Sequence, residues 1–210
     1  MYQGSGLPQE ALAAGRAAFD AMRTEVMAGQ YLDMLEQVRG AESVEASLRV
    51  MHYKAAKYTV ERPLHLGAAL AGRGPELAPV YSAYGLPLGV AFQLRDDVLG
   101  VFGDPAQTGK PAGDDLREGT RTLLVAETLE RAGESAAAEF RAGLGDPDLD
   151  GAAVDRMRTI TEECGALEAC ERRIDDYVEQ ATRALESELI EPEARSALAD
   201  LIVAATSRKF

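Results

Sequence analysis

The chain has 210 residues, 46% of them hydrophobic and 27% charged, with 6% aromatics and no Trp. These proportions exclude a disordered chain and favour packed helices over a β-sandwich, which needs more β-branched and aromatic residues. The net charge of −13 excludes binding to nucleic acid or an anionic membrane through the overall field, but not an anionic ligand held by a few placed cations or metal ions.

The opening stretch, Met1 to Glu10, has no basic region followed by an apolar one, so no signal peptide is expected. No apolar run reaches the roughly 18 residues of a spanning helix. A cytoplasmic chain without an integral membrane segment is the expectation. Pro8 suits the first position of a helix that runs to Arg39, with Gly40 as its stop. A second helix starts near Ser43, meets Pro63 as a bend or stop, and resumes to Leu70. A third runs from Glu76 to Val101, with a kink expected at Gly85 and Pro87. Gly103 to Gly113 is the longest irregular stretch, of a length that is often functional. Helices are then expected over 114–131, 134–144, 150–163, 167–189 and 191–205. The whole reads as one all-α unit without repeats.

Cys164 and Cys170 stand six residues apart, which along one helix would be about 9 Å of rise, too far for a disulfide. Two Cys and two His leave no thiolate or imidazole metal site. Arg172, Arg173, Asp175 and Asp176 read as a solvated face with pairs along the helix.

The most informative segment is Leu86 to Phe102, LPLGVAFQLRDDVLGVF. It is apolar nearly all round except at Gln93, Arg95, Asp96 and Asp97, and such a helix belongs in a core. A buried carboxylate is costly unless paired, hydrogen-bonded or metal-bound. Two readings follow: an ion-paired helix end, or a Mg²⁺ site, because Mg²⁺ takes one or two protein carboxylates and leaves room for water and phosphate oxygens. The loop after it carries Gly109 and Lys110, which suit a phosphate. Asp114 and Asp115 open the next helix, where capping and dipole complementarity are the commoner roles. Gln30 and Asp33 share a face, and the small Gly29 lets a neighbouring helix approach closely. Lys54 shares a face with Tyr58, while Lys57 points elsewhere. Each fragment alone is more often structural than functional.

In order, GQYLD at 29–33, HYKAAKYTVERPL at 52–64, FQLRDDVLGVFGD at 92–104 and TGKPAGDDLREGTRT at 108–122 resemble the trans-type isoprenyl diphosphate synthases, or polyprenyl synthetases, in the manner of bacterial geranylgeranyl diphosphate synthases. The likeness runs from about Arg16 to Leu124 and is to the C-terminal half of that family. It implies an all-α isoprenoid-synthase bundle around a central cavity, lacking its N-terminal helices, with 1–210 as the C-terminal part of one domain. It further implies a prenyltransferase that condenses isopentenyl diphosphate with an allylic diphosphate, with Mg²⁺ assisting departure of the diphosphate. By the same likeness Asp96 and Asp97 are metal ligands, and Lys54, Gln93 and Lys110 are catalytic and hold the allylic substrate. Gln30 and Asp33 line the cavity, Asp33 positions Lys54, and Asp114 stands near the metal without touching it. A homodimer or a partner subunit is implied.

Three positions depart from the family pattern. Gly100 stands where DDxxD has its last carboxylate, with Asp104 nearby in sequence. Ala55 replaces a hydroxyl after Lys54, and Thr120 replaces an ammonium. No first aspartate-rich motif is found before Gln30. The resemblance therefore implies either activity as part of a longer chain or a non-catalytic or regulatory subunit of a hetero-oligomeric synthase. The metal motif of a terpene cyclase is not found, and the helical periodicity argues against the α/β pattern of a cis-prenyltransferase.

Overall fold

The computed structural model describes residues 4–40, 42–109, 111 and 113–207. The described elements are helical, with no strand among the described residues. They are α1 (Gln9–Arg39), α2 (Val44–Met51), a π-helix (His52–Glu61), α3 (Arg62–Leu70), α4 (Gly74–Phe102), α5 (Pro105–Thr108), α6 (Asp114–Glu118), α7 (Leu123–Arg131), α8 (Glu134–Gly143), α9 (Gly151–Glu163), α10 (Ala166–Ala184) and α11 (Pro192–Thr206). No described helix is long and apolar enough to cross a membrane.

α4 is the axis. It packs against α10 on one side and against the π-helix and α3 on another, with α6, α7 and α11 along its length. Val90, Ala91, Leu94, Val98 and Val101 of α4 enter one core with Leu116, Leu123, Leu124, Phe140, Ile160 and Ile174. Tyr84 and Leu88, nearer its start, enter a second with Leu185, Ile190, Leu198 and Ile202. Tyr84 is fully buried and its hydroxyl donates to Leu198 O at 2.8 Å, so its polar end is satisfied. Burial raises the Tyr84 phenol to about 12. Both cysteines are free.

α1 ends as expected: Gly40 adopts φ 66°, and its N–H donates to Gln37 O. Two other expectations are corrected, at Pro63 and over 114–131. Pro63 does not stop the second helix: it falls in the first turn of α3, where a missing N–H is tolerated, and the chain reaches it through ten residues of π-helix. The third helix runs through Pro79 and Pro87 as one element, and Gly85 lets Glu61 approach, since a Cβ there would stand 2.9 Å from Glu61 Cα. The helix expected over 114–131 is two helices. Gly119, at φ 69°, ends α6, and the Thr122 hydroxyl accepts from Val125 N–H to start α7.

The π-helix lies between α1 and α4 at backbone contact. A Cβ on Gly29 would stand 2.5 Å from Lys54 N, and one on Gly89 would stand 2.4 Å from Ala56 Cα. On its outer side α1 is open. Met27, Tyr31, Met34 and Val38, spaced four, three and four residues apart, are 70%, 66%, 58% and 87% exposed. That spacing is the stripe of a helix that packs on another helix.

Both glycine contacts predict the same result. Gly29→Ala or Gly89→Ala forces two backbones apart, and each variant is expected to unfold about 1–3 kcal/mol more easily than the parent. Urea denaturation followed by circular dichroism measures it. An unchanged midpoint in both would refute the close approach.

Candidate active site

Four of the residues singled out from sequence meet at one cavity of about 200 Å³. Asp33 comes from α1, Lys54 from the π-helix, and Gln93 and Asp97 from α4. Thr120, Arg121, Thr122 and Leu123, between α6 and α7, close one wall. The α6–α7 break therefore has a purpose: it turns the Leu123 peptide toward α4.

Lys54 Nζ lies 2.6 Å from Asp33 Oδ2. The contact at Gly29 brings the two helices this close, as anticipated for a small residue there. Lys57, one turn on, reaches away from the cavity to Glu61 at 3.1 Å and Glu25 at 3.2 Å. Arg62 holds Glu25 with two bonds of 2.6 and 2.7 Å, and Ser82 donates to Glu61 at 2.7 Å. This network ties the π-helix to α1 and α4. The Arg62 bond, against the cost of burial, holds Glu25 below the usual carboxylate range.

Asp97 is buried, at 5% exposure. Gln93 Nε2 donates to its Oδ1 at 3.0 Å, and Leu123 N–H donates to its Oδ2 at 3.3 Å. It makes no ion pair among the described residues, so the ion-paired reading of this carboxylate is replaced by a hydrogen-bonded one. Burial pushes its pKa up to about 7, with Asp115 and Asp96 adding to the rise and the two donors opposing it. The paired charge on this turn is instead Arg95, whose guanidinium binds Glu171 at 2.6 and 2.7 Å and donates to Thr206 O at 3.0 Å.

Asp115 is the residue that sequence reasoning missed. Its Oδ2 lies 2.0 Å from where a Cβ on Gly100 would stand, so the Asp115 side chain occupies the room that Gly100 leaves. A carboxylate thus reaches the level of the absent fifth acid from another helix. The signal was Gly100 itself, a position without a side chain one turn after Asp96 and Asp97. Asp114 is half-buried beside it. Asp104 caps α5, its Oδ1 accepting from Ala106 N–H at 2.9 Å. Gln30 is exposed and Asp96 half-buried. Lys110 lies outside the described residues.

Two acids on one helix and a third across from them suit Mg²⁺, which accepts one or two carboxylates and completes its shell with water and phosphate oxygens. Among the described residues no three His, Cys, Asp or Glu groups form a cage that would hold an ion alone. The donor set therefore fits an ion shared with a phosphate-bearing ligand.

The raised Asp97 pKa makes a signed prediction for metal-free buffer. A carboxyl whose folded pKa lies above its unfolded value of 3.8 takes up a proton on folding between the two. Stability is then lost as pH rises from about 4 to about 7, and the loss is complete above that. Asp97→Asn removes the charge and keeps the shape. The variant should melt about 5 °C or more above the parent at pH 8 in chelator, with the gap closing toward pH 4. A gap independent of pH would contradict the assignment.

Residues 13–161 match the family model described as Polyprenyl synthetase. The chain is 36% identical over 157 residues to the geranylfarnesyl diphosphate synthase of Aeropyrum pernix, covering 75% of this chain and 48% of that one. It is 32% identical over 178 residues to the geranylgeranyl diphosphate synthase of Methanosarcina mazei, covering 78% and 48%. In structure it is similar to the Corynebacterium glutamicum geranylgeranyl pyrophosphate synthase solved with isoprenyl diphosphate and magnesium. That TM-score is 0.94 at 46% identity, over 99% of this chain and 58% of that one. The chain spans about half the length of the relatives named. With the family model covering most of its length, the chain belongs to the polyprenyl synthetase family.

Proposed function

We propose that the cavity holds the diphosphate of an allylic substrate, and that the chain contributes this half of a synthase joining the substrate to isopentenyl diphosphate. The observation that carries the reading is the convergence of Lys54, Asp33, Gln93 and Asp97, from three helices, on one cavity. An ammonium for the leaving diphosphate and carboxylates for its counter-ions are what this chemistry requires in a dry site. Bound Mg²⁺ would neutralise the diphosphate and ease its departure.

Each residue then has a task. Asp33 holds Lys54 at the cavity wall. Gln93 and the Leu123 peptide fix both oxygens of Asp97, leaving its remaining lone pairs for an ion. Asp96 and Asp115 add charge on the same side. Lys110, by the family resemblance, brings a second ammonium from the loop after α4.

The chain acts as part of a larger helical assembly, a homodimer or a pair with another subunit, in the cytoplasm. The open stripe of Met27, Tyr31, Met34 and Val38 is a surface for further helices, and the relatives have about as much chain again. An aspartate-rich segment facing Asp97 would complete the metal shell.

The test is turnover with labelled isopentenyl diphosphate, an allylic diphosphate and Mg²⁺. The purified 210-residue chain alone is expected to form no product. Co-expression with the unmatched part of the corynebacterial relative is expected to restore it, and Lys54→Ala in that assembly to reduce it by roughly 100-fold or more. Turnover by the chain alone that Asp97→Ala abolishes would overturn the shared-site reading. So would an assembled pair indifferent to Lys54.

A further inference from the structure

Arg121 stands in the wall of the same cavity, and the interactions described for the other cavity residues do not account for it. Its backbone is fixed on both sides. Thr120 N–H donates to Asp115 O at 3.0 Å, Thr122 caps α7, and Leu123 N–H is engaged by Asp97. The backbone of Arg121 is thereby tied, through Leu123 two residues on, to the Asp97 carboxylate. Its side chain is 29% exposed, yet Nη1 is sealed from solvent and has no hydrogen-bond partner among the described residues.

A guanidinium N–H removed from water without a partner is costly. Glu42 is the nearest described carboxylate, with Oε1 at 3.9 Å from Nη1. That carboxylate is already gripped by Arg141 through contacts of 2.7 and 2.9 Å. The Arg141 bond, ahead of any effect of Arg121, holds Glu42 below the usual range. Lys54, the other described cation lining the cavity, is tied to Asp33 at 2.6 Å. Arg121 is therefore the described cavity cation without a close ion pair, and it shares the cavity lining with Lys54 and Gln93. A planar fork of donors in that position matches a phosphate oxygen pair better than a point charge does.

We propose that Arg121 is a diphosphate-binding residue, gripping the same diphosphate as Lys54 from the α6–α7 segment. The inference rests on the reading of the cavity as a diphosphate site. Arg121 supplies a contact that keeps the diphosphate in the cavity that Asp97 also lines.

Calorimetric titration of the 210-residue chain with inorganic pyrophosphate in Mg²⁺ buffer tests this. Arg121→Met is expected to weaken binding roughly tenfold or more, as for loss of a charge-assisted contact, and to flatten the dependence of affinity on salt. Arg121→Lys should recover part of the loss. Arg156→Met, which breaks an exposed pair with Glu139, should stay within about twofold of the parent, and urea midpoints should show all variants folded. If Lys54→Met weakens binding while Arg121→Met does not, the role of Arg121 is refuted and the cavity reading stands. If the parent chain binds no pyrophosphate, both are overturned.

Discussion

At Gly29 and Gly89 the chain gives up side chains so that one wide helix can lie in backbone contact with two longer ones. Everything in the cavity depends on that contact. It sets Lys54 within hydrogen-bond range of Asp33 and aligns the π-helix beside the Gln93–Asp97 face of α4. A π-helix has poorer internal geometry than an α-helix and is rarely sustained. Here ten residues hold it, with ion pairs at one end. Glu25, Lys57, Glu61 and Arg62 bind the π-helix to α1, and Ser82 binds it to α4. Removing one member strands its partners in a partly dry place, which is more costly than the loss of a surface pair.

The second constraint is the contrast between two neighbours on α4. Arg95 is buried and fully matched by Glu171 and Thr206. Asp97, two residues on, is buried and only hydrogen-bonded. The first arrangement anchors α4 to α10 and α11. The second keeps an acid in a dry wall with spare lone pairs. Such a group works against the stability of the empty protein and in favour of a bound cation.

Much of this was legible in the sequence, for identifiable reasons. Pro8 and Gly40 delimit α1 because each acts through its own backbone geometry. Gly29 signalled a close helix, and Gln93 with Asp97 signalled a polar patch in an apolar helix. What was not legible depends on tertiary partners. The π form of His52–Glu61 has no local signature and is stabilised by glycines on other helices. The break at Gly119–Thr122 was hidden because the decisive bond, Leu123 N–H to Asp97, spans 26 residues. Arg173 looked like part of a solvated face, yet it reaches the buried Glu127 of α7 at 2.7 Å, while Arg172 pairs along its own helix with Glu168. Asp115 looked like a helix-start acid because nothing in its neighbourhood of sequence mentions Gly100.

That last pair has a consequence for how such a site can change. Positions 100 and 115 share one volume: the carboxylate of Asp115 fills what a side chain at Gly100 would need. An acid placed at position 100 would require the Asp115 carboxylate to swing aside. A side chain at position 100 therefore changes where the Asp115 carboxylate stands. A five-residue motif read along one helix is, in this chain, divided between two, and its completeness is a property of the folded pair.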